Sequence, residues 1–520
     1  MKKLPIGIQS FQEMIKSGYI YVDKTEHIKS LIEYGKYIFL SRPRRFGKSL
    51  LISTLSEIFS GNKEFFQGLF IYDKIEWKSY PVILLDFSLI DYSTEEELRQ
   101  GLIRTIDTIN KAYKLGVESF GFKSYFHDTI RELYKKYDKV IVLIDEYDKP
   151  IIDFVDDIEK AKNYRDILRD FYQVLKGSDL YLKFVFITGV SKFSRVSVFS
   201  GLNNLQDITL TSQMSNLLGY TEEEIECYFE EYIHVFCEEW KIERKSLLEN
   251  IRTWYNGYSW NGINRVYNPF SILNLFAEKR FSNYWFATGT PTFLMKLIKN
   301  EGIEASEFEN KKVPEIIFDS YDLENMNIFS LLFQTGYLTI SHIERKMGFL
   351  KYILGYPNLE VKNAFLAYLF ETFTAHRLDE IQITAEKLRL LLEQENLNEF
   401  LSIIKSLFAK IPYTLHIEKE AYYHSLFYMI LALMGLEIDL EVLTDKGRID
   451  GVLKLEGKVY IIEFKYGKPG TDIITLVQKA LTQIKEKNYG ERFNDFYKRI
   501  YLGVGFVEKE IAFESYFENQ

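Results

Sequence analysis

The chain has 520 residues, 47% of them hydrophobic and 16% aromatic, with only ten prolines. This excludes a disordered or proline-rich chain, exceeds what one core can hold, and leads us to expect about two to four domains. The formal net charge of −9 excludes a surface that coats nucleic acid throughout, so any such contact needs a local basic patch. Two cysteines, Cys227 and Cys237, and seven scattered histidines make neither a disulfide framework nor a zinc site. No run of about 18 apolar residues is present, which excludes a membrane-spanning helix. The basic start, Met1–Lys3, lacks the apolar run of a signal peptide. A soluble cytoplasmic protein without a membrane partner is expected.

In chain order, Tyr19–Val22 reads as a short strand, followed by a helix from Glu26 that Asp23 or Thr25 would cap. Phe11 and Tyr21 are candidates for the wall of a base pocket. Tyr37–Leu40 is a buried strand, and Pro43 ends it because proline has no backbone donor. Gly47-Lys48-Ser49 then opens a helix running towards Gly61. Strand, loop, Gly-Lys-Ser and helix together are the layout of a phosphate-binding loop. The backbone N–H groups from Arg44, Arg45 and Phe46 through Gly47 to Leu50 would face the phosphates of ATP. Lys48 would reach the β- and γ-phosphates, and the Ser49 hydroxyl would hold Mg²⁺. Arg42 stands where the first glycine of the usual loop belongs.

Pro81–Phe87 reads as a strand buried on both faces, and Ser93 or Thr94 starts a long helical region. Val140–Ile144 is an apolar strand ending in Asp145-Glu146. In phosphate-loop ATPases such a strand lies beside the loop strand. Its Asp belongs to the Mg²⁺ shell and its Glu polarises the attacking water, so Asp145 and Glu146 take those roles. Asp148 either assists or caps the following segment. After a helix from Asp156, the strand Lys183–Ser191 brings Thr188, or alternatively Ser191, as a hydroxyl for the γ-phosphate. Lys192 and Arg195 are left between phosphate, a neighbouring subunit's nucleotide and solvent. With Arg44 and Arg45 they give an excess of cations for one nucleotide, from which ATP-promoted self-association is expected.

From Thr211 strand-like runs become rare. Thr221 followed by three glutamates, and Pro269, mark helix starts. The aromatics of Trp254–Trp260 suit core packing better than base stacking. Gly336–Ile340 and Tyr352–Leu354 suggest a hairpin, and Glu360 to about Lys405 is helical. Further on, Gly447–Leu455 and Lys458–Lys465 are strands joined by Glu456-Gly457. If those two residues are the whole loop, Leu455 pairs with Lys458 and Asp450 comes opposite Glu463. Their Cβ atoms then lie roughly 5 Å apart on one face, which Lys465 shares. Facing carboxylates are destabilising without a cation between them, and hard oxygen ligands suit Mg²⁺.

Leu4–Gly7, Tyr21–Thr25, Arg42–Ser49 and Asp145–Asp148 resemble the bacterial AAA-ATPase-like family. Gly447–Asp450 with Glu463–Lys465 resembles the PD-(D/E)XK nuclease superfamily domain that accompanies it. The residue before Asp450 is Ile449, where the eponymous motif has proline. The resemblance implies that Asp450 and Glu463 are catalytic metal ligands and that Lys465 is the catalytic lysine. It further implies that Glu420 is the helical acid upstream and that Gln483 lies on the helix after the core. An α/β chain in three parts follows. These are a parallel-sheet ATPase domain over 1–210, a mostly helical region over 211–405 and a nuclease-like domain over 406–520. The expected activity is Mg²⁺-dependent ATP hydrolysis coupled to cleavage of DNA or RNA. The alternative is a nucleotide-state switch whose C-terminal fold binds nucleic acid or protein without cutting.

Overall fold

The computed structural model describes the chain except residues 119–120, 193–197, 200, 287–291, 319–326, 412–419, 444–447, 456, 508–509 and 520. It also leaves out the side chains of 292–293, 420–421, 437–438, 440–443, 448 and 519. Among the described residues no helix is long and apolar enough to cross a membrane. Packing divides the chain into two compact units. The first is Met1–Thr288 with Asn310–Val361, and the second is Gly289–Glu309 with Lys362–Gln520.

These divisions differ from the boundaries expected near 210 and 405. Helices Glu222–Tyr228, Glu230–Trp240, Arg244–Tyr255 and Pro269–Glu278 bury Ile225, Ile233, Ile251 and Phe276 around Ile20 and Val22. The stretch after 210 therefore shares a core with the segment before the loop. Periodicity shows which face of a helix is apolar and leaves open what covers it. The same cluster explains why Tyr19–Val22 forms no strand beyond a single bridge from Tyr19 to Lys3.

In the first unit β1 (Tyr37–Ser41), β2 (Val82–Asp86), β3 (Val140–Asp145), β4 (Leu182–Gly189) and β5 (Gln206–Asp207) form a parallel sheet in the order β2-β3-β4-β1-β5. The strand ending in Asp145 is thus not beside the loop strand, as expected from sequence. β4 intervenes, pairing Tyr37↔Val185 through Ser41↔Gly189 on one side and Leu143↔Phe186 on the other. β4 is buried from Phe184 to Gly189, which suits a central strand apolar on both faces. Helix Ile158–Gly177 is the crossover that lays β4 parallel beside β3. β2, expected to be buried on both faces, is instead an edge strand with Leu84 46% exposed.

Local signals hold where one turn of chain decides. Thr94 with Glu97 and Thr221 with Glu224 form capping boxes. Asn268 caps the helix that Pro269 opens. Asp23 accepts from the N–H and hydroxyl of Thr25 and from the Phe70 N–H, tying that helix start to a neighbouring turn. β6 (Asn256–Tyr258) pairs with β7 (Val266–Tyr267). β8 (Lys311–Pro314), β9 (Thr339–Lys346) and β10 (Phe349–Gly355) form an antiparallel sheet in the order β8-β10-β9. The β9/β10 hairpin was expected. β8, polar and four residues long, gives no alternation to read.

The second unit carries β11 (Glu437–Leu443), β12 (Arg448–Leu455), β13 (Lys458–Gly467), β14 (Lys498–Val507) and β15 (Glu510–Asn519), adjacent in that order. β13 and β14 are parallel, connected through helix Ile473–Lys487, and the other pairs are antiparallel. Helices Leu378–Glu393, Leu397–Ala409 and Glu420–Leu433 belong to this unit.

Candidate functional site

The phosphate loop leaves β1 and enters helix Lys48–Ser60 with Gly47 at φ +91°. Arg45 also holds a left-handed φ, +67°, which costs a non-glycine residue about 1 kcal/mol or more. Arg42 explains how the loop forms without its usual first glycine. Its side chain is buried, lies 3.8 Å from the ring centre of Trp260, and donates to the carbonyls of Ser41, Thr209 and Met214. Burial works against its charge and Asp207 supports it. Arg42 is an anchor behind the loop rather than a phosphate ligand. Arg42→Ala would leave three buried carbonyls short of donors. It should lower unfolding stability by on the order of 3 kcal/mol, and an unchanged denaturation midpoint would refute the anchor.

Lys48 is buried, and its Nζ donates to the carbonyls of Arg42 and Pro43, each at 2.9 Å. Burial lowers its pKa, while Asp145, Asp148 and Glu146 work the other way. Asp145 is buried beside Ser49, and burial raises its pKa while the Ser49 hydroxyl works the other way. Its Oδ1 accepts from the Glu146 N–H, and Glu146 has φ +49°, which turns it out of the strand.

A cavity of about 420 Å³ opens over this group. Its lining includes Arg44, Arg45, Gly47, Lys48, Ser49 and Leu50, and facing them Glu146. The rest of the lining includes Pro5, Gly7, Ile8, Gln9, Tyr220, Phe270 and Leu273, and the Arg45 guanidinium lies 4.9 Å from the Phe270 ring centre. An apolar recess of about 70 Å³ shares Pro5, Gly47, Leu50 and Pro269 with the cavity and is bordered by Tyr21 and Phe46. Phe11, the other aromatic expected at a base pocket, is fully buried and stacks on Phe66. Sequence reading missed the wall from Tyr220 to Leu273. Its one signal, Asn268-Pro269, announces a helix start without saying what the helix faces.

Thr188, expected at the γ-phosphate, and Asp148 and Lys192, whose roles the sequence left open, all have partners within the fold, Asp148 while bordering the cavity. Thr188 is outside the cavity lining, buried, and its hydroxyl donates to the Leu40 carbonyl at 2.7 Å. This corrects the expectation that it reaches the γ-phosphate: its hydroxyl is taken up by the backbone of its register partner on β1. Asp148 accepts from Val190 N–H and from the N–H and hydroxyl of Ser191, fastening the end of β3 to that of β4. Lys192 pairs with Asp207 at 2.6 Å. Arg195 lies outside the described residues. The Trp254–Trp260 aromatics are core: Tyr255, Tyr258 and Trp260 are buried.

In the second unit the hairpin register is as read. Leu455 pairs with Lys458 and Gly451 with Ile462, and Gly457 takes φ +70° at the turn. The ladder ends there, one residue short of the expected Asp450 opposite Glu463. Asp450 Oδ2 instead accepts the Phe464 N–H at 2.9 Å. Glu463 is 1% exposed and its pKa is pushed up to about 7, first by burial and then by Asp450. Lys465 donates to Glu463 Oε1 at 2.8 Å, and Gln483 from helix Ile473–Lys487 donates to the same oxygen. Glu463 Oε2 is buried with no hydrogen-bond partner among the described residues. A buried carboxylate oxygen without a partner, next to a second carboxylate, fits a cation ligand set.

No group of three or more His, Cys, Asp or Glu that could hold a metal occurs among the described residues. Glu420 opens its helix, but its side chain lies outside the described ones. A recess of about 30 Å³ beside Asp450 is lined by His424 and Phe464, and by Glu304 from the 289–309 excursion. The sequence reading missed both His424 and Glu304. His424 is four residues after Glu420 on one helix, a spacing that shares a face. Glu304 had no local signal.

Comparison with known proteins covers both sites. The model of a family described as predicted AAA-ATPase matches residues 5–199, and that of the PD-(D/E)XK nuclease superfamily matches residues 418–515. An uncharacterized protein in the vnfD 5' region of Azotobacter chroococcum mcd 1 is 38% identical, covering 97% of this chain and 96% of that one. Two Aeropyrum pernix structures align at 10% identity. The ORC2 protein in ADPNP-ADP complexes covers 67% of this chain and 91% of its own, with a TM-score of 0.28. The ORC1 protein in complex with DNA covers 68% and 95%, with a TM-score of 0.24. At such scores the likeness carries no argument. The matched loop, the acidic strand end and the C-terminal hairpin therefore place this chain in the AAA-ATPase-like family, as a member with a C-terminal PD-(D/E)XK nuclease superfamily domain.

Proposed function

We propose that the first unit binds ATP with Mg²⁺ and hydrolyses it, and that the second unit is a metal-dependent phosphodiesterase acting on DNA or RNA under its control. The observation that carries the first half is the meeting of Lys48, Ser49 and Glu146 at one cavity, with Asp145 buried beside Ser49. Lys48 exchanges its two loop carbonyls for phosphate oxygens, and the loop amides hold the remaining phosphate charge. Ser49 and Asp145 would hold Mg²⁺, which when bound supplies positive charge at the phosphates. Glu146, turned towards the cavity, orients a water and takes its proton.

For the second half, the support is the buried Glu463 beside Asp450, with Lys465 on one of its oxygens. Asp450 and Glu463, with Glu420 as a third candidate, would hold a divalent cation, which when bound supplies electrophilic charge at a phosphodiester. Lys465 stabilises negative charge building on the scissile phosphate.

Lys48→Ala tests the nucleotide reading first. The variant should weaken ATP binding by about 10²-fold, the size of a lost charge-assisted contact, in calorimetric titration of the full chain. Equal affinity in both proteins would sink the assignment. Labelled DNA and RNA, each with Mg²⁺ or Mn²⁺ and with or without ATP, test the second half. ATP turnover with no cleavage of either nucleic acid would favour the switch reading instead.

A further inference from the structure

Next to the phosphate loop, two residues distant in sequence and outside the cavity lining meet. The indole Nε1–H of Trp285 donates to the Arg44 carbonyl at 3.1 Å. Its backbone N–H donates to Glu360 Oε1 at 2.6 Å, and the Ser271 hydroxyl donates to Glu360 Oε2 at 2.8 Å. Glu360 is fully buried, a costly position for a carboxyl unless donors satisfy both oxygens, as they do here. The Trp285 ring sits 6.2 Å from that of Tyr258, which in turn is 4.8 Å from Phe46 of the loop. Gly336 closes the assembly at φ +91°. A Cβ there would come within 2.7 Å of Pro43 and 3.3 Å of the Trp285 ring. Neither Trp285 nor Glu360 lines the cavity, and the nucleotide and metal roles above use neither.

Their places in the chain give the pair a second property. The chain passes between the two units at 288–289, 309–310 and 361–362. Trp285 lies just before the first passage and Glu360 just before the last. Helix Leu359–Thr374 begins in the first unit and continues in the second. The residues that hold the loop backbone at Arg44 thus also stand in the chain next to two of its three passages between the units.

We propose that Trp285 and Glu360 are positioning residues of the phosphate loop through which nucleotide occupancy is transmitted to the second unit. This rests on the nucleotide reading of the cavity. The two-state element is Lys48. Without phosphate two of its three Nζ donors are held by the carbonyls of Arg42 and Pro43, and phosphate oxygens compete for those donors. Those carbonyls precede the Arg44 carbonyl in one tight turn, so their release reorients the peptide that Trp285 grips. The backbone N–H of Trp285 carries the change to Glu360, and from there both connections feel it. A coupling of this kind needs such a pair of discrete arrangements that both sites bias.

The test uses the full chain and a non-hydrolysable ATP analogue, with binding followed by calorimetry and hydrogen exchange followed over 292–309 and 362–374. In the wild type, exchange in both segments should change when the analogue binds. Trp285→Phe keeps an aromatic ring and removes the indole donor. Its affinity should fall about three- to tenfold, as for one hydrogen bond, and at saturating analogue the change in both segments should vanish. Glu360→Leu should lose the change as well, whereas Glu360→Gln, which keeps an acceptor for the Trp285 N–H, should restore it. A merely structural role would not separate those two variants at saturation. Wild-type binding with no exchange change in either segment overturns the proposal, as does a Trp285→Phe variant that transmits like wild type. A wild type that binds no analogue removes the cavity reading itself, and the proposal with it.

Discussion

Glu146→Gln should bind ATP as tightly as wild type and lose hydrolysis by about 10²–10⁴-fold, the range typical of a positioned general base. The separation follows from where the neighbours point. Lys48 and the loop amides, to which the proposed reading gives the phosphates, make no hydrogen bond to the Glu146 side chain among the described residues, and Asp145 stays beside Ser49. The Asp145 carboxylate also accepts the Glu146 backbone N–H, a bond the substitution leaves in place. The left-handed φ of +49° at Glu146 is a strained conformation of the sort found at sites where chemistry fixes a side chain. Glutamine has the same shape and can still bond a water, but it cannot take its proton. Steady-state turnover beside calorimetric affinity measures both halves. Hydrolysis at the wild-type rate would show that another group takes the proton.

Asp450→Asn and Lys465→Ala should each cut cleavage of a labelled nucleic acid by about 10²–10³-fold, and for different reasons. Asparagine at 450 can still accept the Phe464 N–H that Asp450 Oδ2 accepts now, so the hairpin should survive. It also removes the negative neighbour that helps push Glu463 up to about 7. Without added metal, the full-length variant should therefore be no less stable than wild type. With Mn²⁺ or Mg²⁺ it should gain less, because the folded state has lost a ligand that the unfolded chain never organised. Lys465→Ala should keep the metal-dependent gain and still lose cleavage, since the charge it removes acts on the phosphate. Thermal melts with and without metal distinguish the two. If wild type and Asp450→Asn gain equally from metal, Asp450 and Glu463 do not form a cation site, and the C-terminal fold reads as a binding module.

Those two candidate sites were legible in the sequence because the patterns that propose them are local. Gly47-Lys48-Ser49 needs only a strand before it and a helix after it. Asp145-Glu146 needs only the end of an apolar strand. The pairing of Leu455 with Lys458 follows from a two-residue turn, and period two then carries the register back towards Asp450 and Glu463. Capping at Thr94, Thr221 and Asn268 was readable for the same reason, since each cap bonds within about one turn of chain.

What tertiary structure decided are partners far apart in sequence. It placed β4 between the loop strand and the Asp145 strand, and thereby turned the Thr188 hydroxyl onto Leu40 instead of a phosphate. Arg42 went under the loop against Trp260, more than two hundred residues away, and Lys192 was committed to Asp207. Ile20 and Val22 joined a helical cluster rather than a sheet. It also assigned 289–309 to the second unit and thereby brought Glu304 to the recess beside Asp450. Spacing within a segment records which face is apolar or charged. Which of many compatible faces covers it depends on packing the whole chain at once, and no local period encodes that choice.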